Sequence, residues 1–278
     1  MQLNKQERLP IFSNYRGIKF LLTKSKIQLI RSLEHKKYRT QNGLFVVEGD
    51  KTVREILDSS LTVEYLLAKT EWLEQLPDIK ANQIIEINER ELLQISFQKT
   101  PNQAMALVKI PNNHFDLAEL TKGLSLYLDG VQDPGNLGTI IRLADWFGIR
   151  HLLCSQECAD PFSPKTVQST MGAIIRVKTY QTDESFFRIL KKHCPDFPVY
   201  GTFLNGENLY NASLSPQAVI VMGNESKGIS NCVAQYVNKR LLIPSYSHDE
   251  PTSESLNVAT AAAIVCAEFR RKCYIERY

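Results

Sequence analysis

Apolar residues in the first 120 positions come in short blocks that switch between two spacings. Leu44–Val47, Val63–Leu67 and Ala104–Ile110 are aliphatic or β-branched runs of strand length. Between them, Ile27, Ile30 and Leu33 fall at helical intervals within Lys24–His35, as do Val53, Ile56 and Leu57 within Asp50–Ser59. The pattern breaks at Pro111-Asn-Asn-His-Phe-Asp116, whose residues favour turns. A boundary near residues 111–122 is expected, dividing the chain into 1–115 and 120–278. Beyond it the alternation is regular. Ser125–Leu128, Ile149–Leu153, Ile174–Val177, Val199–Thr202, Val219–Met222 and Leu241–Ile243 read as strands. Asn136–Phe147, Glu184–His193, Ser230–Tyr236 and Leu256–Arg271 read as helices. Several strands are continuous apolar runs, as a sheet covered on both faces requires. Strand–helix alternation predicts an α/β fold with a parallel sheet, whose ligands bind beyond the carboxyl ends of the strands.

Composition narrows the class. The 278 residues are 43% hydrophobic and 23% charged, which suits a globular protein and not a disordered one. No apolar run approaches the roughly 20 residues of a membrane span, and the first residues lack the apolar core of a secretory signal. The six cysteines form no Cys-x-x-Cys pair and no histidine cluster accompanies them, so neither a metal site nor a disulfide framework is expected. Reduced thiols point to the cytoplasm. Charge is uneven. Residues 1–40 hold ten Lys or Arg against two Glu, a net +8, leaving −5 for the rest of a chain whose total is +3. Such a stretch is either a face for a polyanion or a solvated basic helix.

Three later segments carry candidate chemistry. In the first, a strand ends at Leu128-Asp-Gly-Val-Gln-Asp-Pro-Gly-Asn136, and Ile140, Ala144 and Phe147 form the buried stripe of the helix that follows. Arg142 then falls off the core face. Plainer roles are also open: Asn136 as a helix N-cap and Arg142 paired with Asp145 at i+3. In the second, the apolar Val219–Met222 runs into Gly223-Asn-Glu-Ser-Lys-Gly228, where glycines allow a sharp turn and close approach of a ligand. Glu225 there would accept from a ribose hydroxyl or fix a cation, or it is simply an exposed turn residue. The third runs from Leu241-Leu-Ile243-Pro through a polar loop to Ser255-Leu-Asn257 and an alanine-rich helix. Ser255 is a good N-cap type for that helix.

Taken in order, Asn-x-Gly-x-x-x-Arg, Gly-Asn-Glu-x-x-Gly and Ile-Pro…Ser-Leu-Asn-Val resemble the three motifs of the SpoU–TrmH family of S-adenosylmethionine-dependent RNA 2′-O-ribose methyltransferases. Thr23–Arg39 followed by Gly43-Leu-Phe-Val-Val-Glu-Gly49 resembles the substrate-binding domain of its ribosomal-RNA members, so the likeness covers roughly residues 15–272. The resemblance implies an α/β trefoil-knot domain that dimerises and completes its site across the interface. It implies a cofactor pocket lined by Gly223, Ile243, Leu256 and Thr202. Arg142 would activate the ribose hydroxyl, with Asn136, Glu225, Ser255 and Asn257 orienting it. Because a guanidinium stays protonated in proteins, Arg142 is expected to act as a cation that stabilises the incipient alkoxide. No metal is required.

For the first half, the resemblance implies a smaller α/β module related to ribosomal-type RNA-binding folds. Lys24, Lys26, Arg31, Lys36, Lys37 and Arg39 would then contact RNA phosphates. Two departures from the family pattern stand out: Ser226 where a glycine is common, and a connection Ser245–Glu254 longer by about four residues, adding His248, Asp249 and Glu250. Ribosomal RNA is the expected substrate; the alternatives are a transfer-RNA methyltransferase and a non-catalytic ribosome-assembly factor. DNA and membrane are not expected partners.

Overall fold

The computed structural model describes residues 19–246 and 255–275. The first half builds a five-stranded sheet from β1 (Lys19–Phe20), β2 (Leu44–Glu48), β3 (Val63–Ala68), β4 (Ala81–Glu86) and β5 (Ala104–Lys109), in the order β1-β4-β3-β5-β2. β1 and β3 pair with β4 in parallel, whereas β5 runs antiparallel to both β2 and β3. The helices are α1 (Lys24–Ser32), α2 (Lys36–Asn42), α3 (Asp50–Leu57), α4 (Thr70–Leu73) and α5 (Glu89–Ile95). The expected helix Lys24–His35 is α1, which stops three residues early at Ser32; α2, beginning at Lys36, lies beyond the expected range.

The apolar run in β2 has a structural cause. Leu44 and Val46 join a buried cluster with Ile30 and Leu33, whereas Phe45 and Val47 face a second cluster that continues into the other half of the chain. Side chains alternate across a strand, so burial on both faces demands the unbroken Leu-Phe-Val-Val. Phe45 meets Phe162 with ring centroids 5.0 Å apart, and the two halves thus share one core.

After a segment without regular structure, α6 (Leu117–Leu120) leads into the second half. Its strands are β6 (Leu124–Leu128), β7 (His151–Cys154), β8 (Lys178–Gln181), β9 (Val199–Asn208), β10 (Ala218–Met222) and β11 (Lys239–Leu242). The sheet order is β11-β9-β10-β6-β7-β8 and every pairing is parallel. The helices are α7 (Pro134–Trp146), α8 (Pro164–Ser169), α9 (Ser185–His193), α10 (Asn231–Ala234) and α11 (Val258–Ile275). One face of the sheet packs Tyr127, Val219 and Val221 against Phe186 and Phe187 of α9. The other packs Leu126, Leu128 and Ile220 against Ile140 and Ala144 of α7 and Ala262, Val265 and Phe269 of α11.

The expected strand Ile174–Val177 is instead a buried 3-10 turn, Ala173–Ile175, with β8 starting at Lys178. A short apolar run signals burial without signalling strand. Gly172, at φ 91°, turns the chain into it. No helix among the described residues is long and apolar enough to cross a membrane.

Candidate active site

β10 and β6 are neighbours, and their carboxyl ends carry the first two motif segments. The loop after β10 closes on itself: the Asn224 amide donates to the Gly228 carbonyl (3.0 Å) and the Gly228 amide to the Asn224 carbonyl (2.9 Å). Gly223 sits inside this closure. A Cβ there would stand 2.3 Å from the Gly228 carbonyl carbon, so no side chain is possible. Gly228 holds φ 68°, a left-handed conformation that glycine adopts without cost. Asn224 Oδ1 accepts from the Ser226 and Lys227 amides at 2.9 and 3.0 Å, which fixes the turn despite the serine at 226.

The loop is then tied to β6. Asn224 Nδ2 donates to the Gly130 carbonyl (2.7 Å), and the Ser230 amide donates to Oδ2 of the buried Asp129 (2.7 Å). These two anchors, Asp129 and Asn224, were not singled out from sequence. Their signal was faint: a carboxylate at the end of an apolar strand, and an asparagine between glycine and glutamate.

Glu225, left facing outward by this turn, meets the helix from the first segment. Asn136 Nδ2 donates to Glu225 Oε1 at 2.8 Å, and Asn257 Nδ2 donates to Asn136 Oδ1 at 3.0 Å. One residue from each of the three segments thus joins a single hydrogen-bonded chain. Asn136 is free to do so because it does not cap its helix. α7 begins two residues earlier, at Pro134, and Asp133 is the cap, accepting from the Asn136 amide at 2.8 Å. Likewise Ser255 is not the cap of α11. Asn257 Oδ1 takes that role, accepting from the Ala259 and Thr260 amides at 2.9 and 3.2 Å. Ser255 lies exposed two residues before it.

Arg142 is exposed on α7, six residues beyond Asn136 and so about 9 Å along the helix. The i+3 pairing with Asp145 does not form, because Asp145 is bound by the Arg176 guanidinium, whose Nε lies 2.9 Å from Asp145 Oδ2. The Arg142 side chain makes no ion pair or hydrogen bond among the described residues. One turn further on, Trp146 is 83% exposed.

Of the expected cofactor-lining positions, Gly223 and Ile243 follow the carboxyl ends of β10 and β11, Thr202 lies within the intervening β9, and Leu256 precedes α11. Thr202 does not end its strand. β9 continues to Asn208, but its register against β11 jumps from Gly201↔Arg240 to Glu207↔Leu241. Residues 202–206 therefore bulge out of the ladder, with Thr202 at the start of the bulge. Gly206 brings the chain back so closely that a Cβ would lie 2.5 Å from the Leu241 carbonyl carbon. Ile243 is half-buried just past β11, and Leu256 is 46% exposed before α11. His248, Asp249 and Glu250 of the long connection lie outside the described residues.

The basic cluster divides in two. Lys24, Arg31, Lys36 and Lys37 are exposed, and Lys26 is half-buried with its ammonium 3.9 Å from the Tyr65 ring centroid. Arg39 is different and corrects the expectation of a phosphate contact. It is 2% exposed, its Nε donates to Asp160 Oδ2 at 3.0 Å, and its Nη1 donates to the Leu33 and Glu34 carbonyls at 2.7 Å each. Arg39 pins the two halves of the chain together. Asp160 was missed because its partner is 121 residues away.

Comparison with known proteins adds an independent line. Residues 123–267 match the model of the SpoU rRNA Methylase family, and residues 24–106 match the MRM3-like substrate binding domain. The chain is similar to a 23S rRNA guanosine 2′-O-methyltransferase of Bacillus subtilis, 32% identical over 249 residues, covering 88% of this chain and 96% of that one. Among solved structures, a protein from Porphyromonas gingivalis assigned to the TrmH family of RNA methyltransferases is 40% identical. It superposes with a TM-score of 0.82, covering 90% of this chain and 99% of that one. An AdoMet-bound rRNA methyltransferase from Sinorhizobium meliloti is 28% identical with a TM-score of 0.79, covering 92% and 98%.

Proposed function

The chain belongs to the SpoU rRNA methylase family, and on that premise we propose that it methylates a ribose 2′-hydroxyl of ribosomal RNA with S-adenosylmethionine as donor. The observation that carries this reading is the chain Asn257–Asn136–Glu225, which joins all three motif segments on the helix that bears Arg142. The named B. subtilis relative acts on 23S rRNA, and the matched substrate-binding domain belongs to the same group. Both favour ribosomal over transfer RNA.

The proposed cofactor site fits an adenosyl group. Gly223 presents backbone only, Ile243 and Leu256 are apolar, and the bulge at 202–206 turns peptide groups out of the sheet. When bound, S-adenosylmethionine supplies an electrophilic methyl on sulfur. That methyl would be taken by the ribose 2′-oxygen with loss of the sulfur as a neutral thioether, and the hydroxyl proton would pass to water or an RNA phosphate. Arg142, permanently charged, stabilises the negative charge developing on that oxygen. Glu225 and Asn136 orient the ribose and Asn257 holds Asn136, with Ser255 reaching the same substrate edge.

We further infer a homodimer through the second domain and a trefoil knot formed by its C-terminal segment. An exposed Trp146 one turn from Arg142 supports a second copy covering that face of α7. α11 packs on α7, with Arg270 Nε donating to the Phe147 carbonyl at 2.7 Å, which supports a C-terminal segment folded back against the site. The first domain, in this reading, is a ribosomal-type RNA-binding module in a cytoplasmic enzyme.

Labelled cofactor incubated with ribosomal and with transfer RNA tests the proposal. One alkali-resistant 2′-O-methyl nucleotide in ribosomal RNA is the expected result. Label in transfer RNA alone would move the substrate, and none in either would favour an assembly factor.

A further inference from the structure

Between the two domains lies a cleft of about 400 Å³ that the reaction chemistry does not use. It falls within the size range of small-ligand sites, roughly 300–1,000 Å³. Val46, Glu48 and Phe97 line it from the first domain; Pro134, Lys165 and Gln168 line it from the second. Its position is informative. Pro134 opens α7 and stands two residues before Asn136, so the cleft borders the start of the helix on which methylation is proposed to occur. Its walls are held apart at a fixed spacing, because Arg39–Asp160 and Arg176–Glu55 (3.1 Å) bridge the same two domains.

The chemistry inside is that of a flat, aromatic, hydrogen-bonding ligand. Phe97, half-buried against the apolar cluster of the first domain, lines the cleft with Val46 and Pro134 as apolar neighbours. Glu48 is half-buried and belongs to the Phe-Val-Val-Glu-Gly segment, for which the reaction gives no role. Its Oε1 accepts from the Phe97 amide at 2.8 Å and its Oε2 from the Ser96 hydroxyl. A carboxylate has about four acceptor positions, so each oxygen retains one. Burial raises the Glu48 pKa, a sign that its charge is poorly solvated and gains from further donors.

We propose that this cleft is a nucleobase subsite that takes a guanine near the methylated ribose, stacking it on Phe97 and reading it with Glu48. Two parallel acceptors match two parallel donors, and guanine alone among the four bases offers an adjacent ring N–H and exocyclic amine on its pairing edge. Unstacked bases of single-stranded RNA are read in this manner, by an aromatic face and an edge contact. This subsite rests on the RNA-methylating function proposed above, of which it is a specificity element.

The test uses the full chain and short uridine-rich RNA strands carrying one central guanine, inosine or adenine, with affinity read by fluorescence anisotropy. Inosine keeps the ring N–H and lacks the amine. Wild type is expected to bind the guanine strand at least tenfold more tightly than the inosine strand, and Glu48→Gln should bring the two within twofold. Gln168→Trp, at an exposed position on α8, fills the cleft without touching Glu48 and should erase the same preference. Equal affinities for guanine and inosine strands in wild type, or a preference that survives both substitutions, overturns the proposal. Methylation of ribosomal RNA by wild type is scored separately, so failure of the function and failure of the subsite give different results.

Discussion

Asn257 performs two tasks with one amide. Its oxygen caps α11 and its nitrogen holds Asn136, so the two tasks can be separated. Asn257→Asp keeps a capping oxygen, and aspartate is as good an N-cap as asparagine. It removes the donor and sets a carboxylate against Asn136 Oδ1. The expected result is a thermal midpoint close to wild type with methylation reduced at least tenfold; Asn257→Ala should lose activity and also about 1 kcal/mol of stability. At Arg142, replacement by alanine should lower kcat by about 10²–10³, the usual effect of removing one charge-stabilising donor, while calorimetric affinity for the cofactor stays unchanged. A lysine there that restores the full rate would show that the planar guanidinium is unnecessary. The three segments were legible in the sequence through their order and spacing. The division of labour within them was not. Asp133, Asn136, Ser255 and Asn257 are all good capping types, and sequence does not say which of them lies one residue before the first helical turn. Nor could it show that Asp145, ideally spaced for Arg142, is held by Arg176, because that contact spans 31 residues.

At the scale of elements, the fit of α7 against α8 decides where the helix bearing Asn136 and Arg142 sits. Gly138 makes it possible: a Cβ would stand 2.4 Å from the Ser169 Cβ and 2.6 Å from the Thr166 carbonyl oxygen. Both neighbours are held, Ser169 by its hydroxyl bond to the Lys165 carbonyl and Thr166 by hydrogen bonds to Ser163 and Asp160. Gly138→Ala should therefore push the helices apart, costing about 1–3 kcal/mol in denaturant unfolding even though alanine favours helix. An unchanged midpoint would mean that α8 moves freely. Periodicity located most elements here because both layers of the second domain alternate regularly and bury continuous runs. It failed where burial and regular structure part company. Ile174–Val177 is apolar because it is interior, yet it turns. β4, with Asn82 and Gln83 amid its apolar residues, offered too little contrast to be read as a strand. The bulge in β9 arises from a register jump against β11, a relation between two segments that neither one encodes alone.

Across the whole molecule, two kinds of charge that look alike in the sequence do different work. Arg39 and Asp160 have side chains only 3% and 14% exposed, and they join the domains beneath a shared apolar core. Breaking a buried pair by removing one partner leaves the other uncompensated, so Arg39→Ala should cost roughly 3–5 kcal/mol. The exposed lysines carry no such load. Lys24, Lys36 and Lys37 are exposed on α1 and α2, in the stretch where the sequence is most basic, and Lys36 makes one hydrogen bond of 3.2 Å across to Gln181. If they meet phosphates, each displaces condensed counterions, and the logarithm of the RNA association constant should fall with the logarithm of salt by about 0.7–0.9 per contact. Changing all three to glutamate should thus flatten that slope by about 2–3 while leaving the unfolding midpoint within a degree or two. Arg39→Ala should do the reverse, lowering the midpoint and sparing the slope. Measuring both variants by both methods separates a role in RNA affinity from a role in holding the protein together, and equal salt slopes for wild type and the triple variant would remove α1 and α2 from the substrate-binding face.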